Sequence, residues 1–347
     1  MKKNILIIGA GLAGLSLAYQ LKKKGHSILL FDKGENFSSA IAAGMVNPMV
    51  FRRMNKSWRL DEFMPIAIEF YKELELLLNV KFYHPIPIYR CFSSQQEKTW
   101  WNEKSAKSEY SNYLVESLLE NKFTNDIKSE FGIGIVQQAF WINAGMFVQA
   151  LRDYFFSNDE LIYQDFDLEK FDTLNKSYNS KFFDAVVFCV GYAQQKLPFF
   201  EHVPIQQTKG QLITIKSNGL SNDYSLNRKC FVIPVGDNLF KVGATYEWHN
   251  DTTHCTQEGL SEIKEKLAHL YSGDYKVVRQ EAGIRPTVSD RRPVLGKSHL
   301  HNHIYLFNGL GTKGYMMAPL LAKEMTDLII DGKEPPMEYN SMRFSST

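Results

Sequence analysis

No run of about twenty apolar residues occurs in this chain, so the sequence predicts no transmembrane helix. Paired cysteine spacing is missing too. Cys91, Cys189, Cys230 and Cys255 form no C-x-x-C pattern and read as buried or incidental thiols of a reducing compartment. An excess of one charge sign is also lacking: the net charge is +2 over 347 residues, which excludes a strong overall field for nucleic acid or an acidic membrane. Repeats and low-complexity linkers are absent. Lys2 and Lys3 precede an apolar stretch, but that stretch is glycine-patterned and continues into Lys22-Lys-Lys24, which argues against a secretory signal. The sequence therefore reads as a cytoplasmic chain. Its length exceeds one typical core, so about two domains are expected.

What is present begins at the N-terminus. Ile5–Ile8 is a continuous apolar run, the pattern of a strand buried on both faces of a parallel sheet. Gly9, Gly11 and Gly14 follow at G-x-G-x-x-G spacing, and Leu12 to Lys24 then carries apolar residues at helical period. Gly9 permits the tight turn, Gly11 lets backbone approach a pyrophosphate, and Gly14 lets the helix pack against the strand. With Leu12 and Ala13 at the helix start, free N–H groups and the positive end of the helix dipole face the phosphates. A second strand, Ile28 to Phe31, ends in Asp32, placed to bond a ribose hydroxyl, with Lys33 beside it. Gly25 closes the helix between them.

Further along, Ser38 to Pro48 is rich in small residues that would let backbone lie close to a cofactor. Asp61 to Asn79 reads as an amphipathic helix, and Lys81 to Phe92 as strands broken by Pro85 and Pro87. Ser93 to Lys128 is polar and helix-favouring, with Trp100 and Trp101 as packing anchors. A helix runs from about Ala144 to Phe156. Asp184 to Gly191 is another buried strand, with Gly191 at its cofactor end. Gln206 to Lys216, Cys230 to Val235, Leu239 to Ala244 and Tyr275 to Gly283 read as antiparallel strands covered by one helix with a Leu260/Ile263/Leu267/Leu270 stripe. The chain then returns to its opening pattern: a strand at Ile304 to Phe307, a turn Asn308-Gly-Leu-Gly-Thr-Lys-Gly314, and a helix from about Tyr315 to Ile330. Pro319 is tolerable there only in the first turns.

Five stretches together resemble the FAD-dependent amine and amino-acid oxidase family, which includes D-amino-acid oxidase, glycine oxidase and sarcosine oxidase. They are IIGAGLAG, TKGQL (Thr208 to Leu212), VGATYE (Val242 to Glu247), AGIRPTVSDRRPVLG (Ala282 to Gly296) and NGLGTKGYMMAP (Asn308 to Pro319). Within that family the look is that of the oxidase domains of bifunctional enzymes of tRNA wobble-uridine methylaminomethyl synthesis, which share the G-[ST]-[KR]-G turn. The resemblance implies a mixed α/β and α+β fold: a Rossmann-like FAD domain with an inserted substrate domain on a mostly antiparallel sheet. Residues 1–50, 133–200 and 286–335 would form the FAD domain, 51–132 and 201–285 the substrate domain, and 336–347 a tail.

The resemblance also implies FAD rather than NAD, with the adenosine half on Gly9 to Gly14 and Asp32. Ala43, Gly44 and the turn Gly311, Thr312, Lys313, Gly314 and Tyr315 would face the flavin. A helix start aimed at the pyrimidine ring suits the negative charge that reduction places there. Arg285 falls where family members hold the substrate carboxylate, and a guanidinium fork matches a carboxylate bidentately. An ion pair with an acid such as Asp290 is the alternative for Arg285. Lys313 could stabilise reduced flavin or bind an anionic substrate group, or be a solvated loop lysine. Two departures stand out. Phe231 replaces a tyrosine of glycine oxidases, which puts a simple glycine or D-amino-acid substrate in doubt. No cysteine lies in Gly283 to Asp290, so non-covalent FAD is expected.

The function expected is oxidation of the C–N bond of a small carboxylate-bearing primary or secondary amine, with oxygen or another acceptor taking the electrons. The rivals are a tRNA side-chain oxidase, a flavin-dependent 2-hydroxy-acid dehydrogenase and a non-catalytic flavoprotein. A basic surface joining Arg52, Arg53, Lys56 and Arg59 to the pocket would favour tRNA; a histidine base in the pocket would favour the hydroxy acid. His299, His301 and His303, like the group His249, His254 and Cys255, read as polar loops rather than metal ligands.

Overall fold

The structure is a computed structural model that describes residues 1–34, 38–118, 126–248 and 252–345, except for the side chains of Arg53, 116–118 and 194–196. Of the residues singled out above, His249 lies outside the described residues.

The apolar strand at the N-terminus sits inside a six-stranded sheet ordered Leu161–Tyr163, Ser27–Asp32, Asn4–Ile8, Ala185–Phe188, Ile304–Asn308 and Val294–Lys297. The first five run parallel and the last is antiparallel. Continuous apolar sequence follows from this position, because both faces are covered. On one face lie the helices Leu12–Lys23, Ala144–Ser157 and Gly314–Asp331, burying Leu15, Leu321 and Met325 completely. On the other lies a small antiparallel sheet, Phe171–Asp172, Ser177–Tyr178 and Lys181–Phe182, whose Tyr178 ring meets Phe31 edge-on at 5.2 Å.

The second body is a nine-stranded sheet. Its spine is Gln206–Lys216, paired antiparallel on one side with Leu239–Gly243 and on the other with Lys276–Thr287. Beyond Leu239–Gly243 come Phe231–Gly236, Ser225–Asn227, Ile88–Cys91, Ile133–Val136 and Leu114–Leu118. Period-two alternation assigns its faces. Ile213 and Ile215 point down onto the helix Gln257–Ala268 and its Ile263 and Leu267, while Gly210 and Leu212 point up into a cavity.

Three local readings change. A strand, Leu114–Leu118, occurs in the polar stretch expected to be helical, where it pairs with Ile133–Val136. Strand Ile133–Val136 itself joins the larger sheet rather than the cofactor sheet. Of the two tryptophans only Trp101 is an anchor: it is wholly buried over Gly134, where a Cβ would overlap its ring, whereas Trp100 is half exposed. Pro319 stands six residues into its helix, and the Tyr315 carbonyl it leaves without an amide accepts instead from the Tyr71 hydroxyl at 2.7 Å.

Candidate active site

The carboxyl ends of Asn4–Ile8, Ala185–Phe188 and Ile304–Asn308 open into a cavity of about 610 Å³ that extends over the upper face of the nine-stranded sheet. Ligands of open α/β sheets bind at such strand ends. Asn308 ties two of these ends together by donating from Nδ2 to the Gly191 carbonyl at 2.7 Å.

The N-terminal turn is built for close approach. A Cβ on Gly9 would overlap the Cys189 carbonyl, and one on Gly14 would overlap the carbonyl of Gly9. Gly9, Gly11, Leu12 and Ala13 line the cavity; Gly14 does not, because its role is to press the helix onto the turn. The helices at Leu12 and Gly314 start without a cap from their own N-cap residue or an acid in the first turn, although the Leu12 amide donates to Ser39 Oγ at 3.0 Å; those at Gln95, Ala144 and Gln257 are capped by Ser94, Asn143 and Thr256. Helix N-termini that open on the cavity without an acid of their own are where an anion gains most from the remaining amides and the dipole. Asp32 lines the cavity and also braces the turn, accepting from the amides of Ala10 at 2.6 Å and Gly34 at 2.8 Å. Arg152, which sequence reading missed, is buried beneath it: Nη2 donates to Asp32 at 3.1 Å and Nε to the Ala10 carbonyl at 3.0 Å. A carboxylate has lone pairs left for a ribose hydroxyl after these bonds. Lys33, Ala43, Gly44, Gly191, Gly311, Thr312, Gly314 and Tyr315 all line the same cavity.

Gly44, at φ +74°, lies so close to Ile142 that a Cβ would overlap the Ile142 carbonyl, and its own carbonyl accepts from the Ile142 amide at 3.0 Å. Lys241 supports this segment from below, donating to the Ala42 carbonyl at 3.3 Å, and burial lowers its pKa. Tyr315 adds a bond from its hydroxyl to the Ser39 carbonyl at 2.8 Å.

Lys313 is no solvated loop lysine. It occupies the N-cap position of the C-terminal helix, and its ammonium donates to the carbonyls of Asn47 at 2.9 Å and Met49 at 3.5 Å and to Ser57 Oγ at 2.5 Å. Burial pulls its pKa down to about 8.

Arg285 lies flat over Gly210, where any Cβ would overlap the guanidinium. Its Nη1 donates to the Thr245 carbonyl at 3.5 Å, and its guanidinium carbon stands 5.4 Å from the Tyr246 ring centroid. Asp290 is not its partner, because that carboxylate binds Arg343 at 2.8 Å. Among the described residues no carboxylate pairs with Arg285, and desolvation lowers its pKa. Gly210, Thr245 and Tyr246 fall inside the TKGQL and VGATYE stretches, yet only strand register reveals what they do.

Two members of the basic run at 52–59, Lys56 and Arg59, are tied into the fold by acids. Arg59 pairs with Glu62 at 2.7 Å and Glu324 at 2.6 Å, and its Nη1 donates to the Tyr339 hydroxyl at 2.9 Å. Lys56 pairs with Asp61 at 2.9 Å. Among the described residues no histidine lines the cavity, and no group of three metal-ligating side chains occurs. No helix is long and apolar enough to cross a membrane among those residues.

A two-sheet architecture, with helix starts and strand ends opening on one cavity and an arginine without a carboxylate partner over the second sheet, suits a flavin-dependent oxidoreductase. The chain belongs to the DAO family of FAD-dependent oxidoreductases, whose model matches residues 4–328. It is similar to the bifunctional protein ThiO/ThiG of Nostoc sp., at 25% identity over 97% of this chain and 54% of that protein. It is also similar to the tRNA 5-methylaminomethyl-2-thiouridine biosynthesis bifunctional protein MnmC of Campylobacter jejuni subsp. doylei, at 21% identity over 86% of this chain and 46% of that protein. The chain thus spans about half the length of these curated relatives. Glycine oxidase from Geobacillus kaustophilus has the same fold, with a TM-score of 0.80, 17% identity, and coverage of 100% of this chain and 99% of that one. The cofactor is FAD, and the expected fold class stands.

Proposed function

We propose that this oxidoreductase oxidises the C–N bond of a small primary or secondary amine that carries a carboxylate. The observation that carries this reading is Arg285: a guanidinium at the cavity, backed by Gly210 and Tyr246, with no carboxylate partner among the described residues. Its fork would take both oxygens of a substrate carboxylate, and low local dielectric strengthens that pairing. Leu212 and Phe231 give the adjoining floor an apolar surface, which favours a neutral amine over an ammonium. FAD, when bound, accepts a hydride from the carbon next to nitrogen. Gly9, Gly11, Leu12, Ala13 and Asp32 would hold its adenosine half; Ala43, Gly44 and residues 311–315 would hold the flavin half.

The protein's own contribution is orientation. Arg285 fixes the carboxylate, so the neighbouring carbon is presented in one pose. Lys313 and the helix start behind it give one wall a positive potential that suits developing negative charge. The oxidised substrate is an imine, which water cleaves to a carbonyl compound and an amine. Oxygen is the acceptor in this reading, taking two electrons and two protons to give hydrogen peroxide.

The test is anaerobic mixing of the purified flavoprotein with sarcosine, other N-substituted glycines, D-amino acids, 2-hydroxy acids and undermodified tRNA, following loss of flavin absorbance. Bleaching by an amino acid is expected, with Arg285→Ala lowering kcat/KM on the order of a thousandfold. Bleaching by a decarboxylated amine at the same rate, or by tRNA alone, refutes the reading. Released peroxide in air distinguishes an oxidase from a dehydrogenase.

A further inference from the structure

The upper face of the large sheet has a second polar end that the proposed reaction does not use. Asn227, on strand Ser225–Asn227, is paired in register with Phe231, which is paired with Gly243, which is paired with Leu212. Residues directly opposite one another share a face, so Asn227, Phe231 and Leu212 form one row, and all three line the cavity. The row starts on the strand over which Arg285 lies and ends three strands away, about 14 Å at ordinary strand spacing. Arg285 is at one end, Leu212 and Phe231 form an apolar middle, and Asn227 stands at the other end.

Asn227 is held rather than free to rotate. Arg90 Nη1 donates to its Oδ1 at 2.6 Å, and since Arg has only donors the amide oxygen must face Arg90. Arg90 in turn is fixed by Glu97, 2.8 Å from Nε and 2.7 Å from Nη2, and stands 5.0 Å from the Phe51 ring centroid. Glu97 is locked at the start of its helix by the Ser94 cap and by the Ser93 amide at 2.7 Å. The clamp turns the amide oxygen of Asn227 toward Arg90 and so directs Nδ2, a donor, away from it.

We infer that Asn227 is a specificity residue that reads a hydrogen-bond-accepting group at the substrate end remote from Arg285. The substrate class is then a bifunctional amine: a carboxylate for Arg285, an apolar spacer over Phe231 and Leu212, and a second carboxylate or carbonyl for Asn227. This rests on the carboxylate role of Arg285 given above.

The experiment is calorimetric titration of the flavin-loaded protein with unbranched α,ω-dicarboxylates of increasing length and with monocarboxylates of matching length. Dicarboxylates of one preferred length should bind about tenfold more tightly than their monocarboxylate partners, the scale of one charge-assisted hydrogen bond. Asn227→Leu should erase that preference, and Asn227→Asp should reverse it toward ω-amino monocarboxylates. Equal binding of both series to the wild type overturns the inference, and so does a dicarboxylate preference that survives Asn227→Leu. Arg285→Ala separates the two claims: it should weaken both series together. Binding that ignores Arg285 but keeps the Asn227-dependent preference refutes the carboxylate anchor alone.

Discussion

The helices Leu12–Lys23 and Gly314–Asp331 both begin at the cavity, each after a parallel strand and a glycine-rich turn, and neither is capped by the side chain of its own N-cap residue. What surrounds their glycines differs. A Cβ on Gly14 would overlap the backbone carbonyl of Gly9, whereas one on Gly314 would meet Leu12 Cδ2 at 3.0 Å and Leu310 Cβ at 3.4 Å. The first turn is backbone against backbone, the second backbone against side chain. The second also carries a cation at its N-cap position, where the first has Gly11. Close backbone packing, braced by Asp32 and Arg152, shapes the first anion site; the second adds a buried ammonium at the helix start, held in part by Ser57, 256 residues away.

The largest effect that would sharpen this contrast is that of Gly14→Ala. The clashing atom is a backbone carbonyl that cannot swing aside, so the turn must open and the amides must turn away from the pyrophosphate. The variant should purify with little flavin and lose at least about 2 kcal/mol of stability. Flavin content equal to that of the wild type would break the argument that backbone contact defines this turn.

Lys313→Met tests the added charge. The lysine falls from 10.5 to about 8 on burial, so between those values the unfolded chain binds more protons than the folded one. Stability therefore rises with pH through this window: the penalty of the buried ammonium is full below pH 8 and gone above 10.5. Relative to Lys313→Met, the flavin-free wild type should gain about 3 kcal/mol across it. Urea unfolding of both proteins at matched pH values measures that difference, in which the titrations of buried tyrosines and cysteines cancel. A pH-independent difference would mean that the ammonium is solvated.

This contrast also explains what could be read from the residues alone. The backbone-built turn needs particular residue types at particular spacings, so Gly9, Gly11, Gly14 and Asp32 are visible in the sequence. The strand predicted over Gln206 to Lys216 is found at those bounds. The surroundings of Arg285 were hidden: Gly210 and Tyr246 reach it only through the pairing of three strands. Asn227 had no signal of its own, since its role depends on parallel pairing with Arg90, far away in the chain. Charge misled at Arg59, whose left-handed backbone (φ 46°) turns it inward to Glu324 and Tyr339 instead of leaving it on a basic surface.

Gly314→Ala is the smallest effect and the sharpest control for the contrast. Its φ is not in the left-handed region, so an L side chain fits the backbone there. A helical alanine gains roughly 0.5–1 kcal/mol over glycine. Against this, Leu12 Cδ2 must move by a few tenths of an ångström, and the end of a leucine side chain can do so. The two terms nearly cancel, so thermal unfolding should shift by no more than the equivalent of about 1 kcal/mol. Flavin content should stay at the wild-type level, because the amides of the turn keep their positions. Were this variant to lose its flavin as Gly14→Ala is expected to, the distinction between a carbonyl and a methyl as the clashing atom would carry no weight. The two helix starts would then have to be treated as one kind of site with the same demand for glycine.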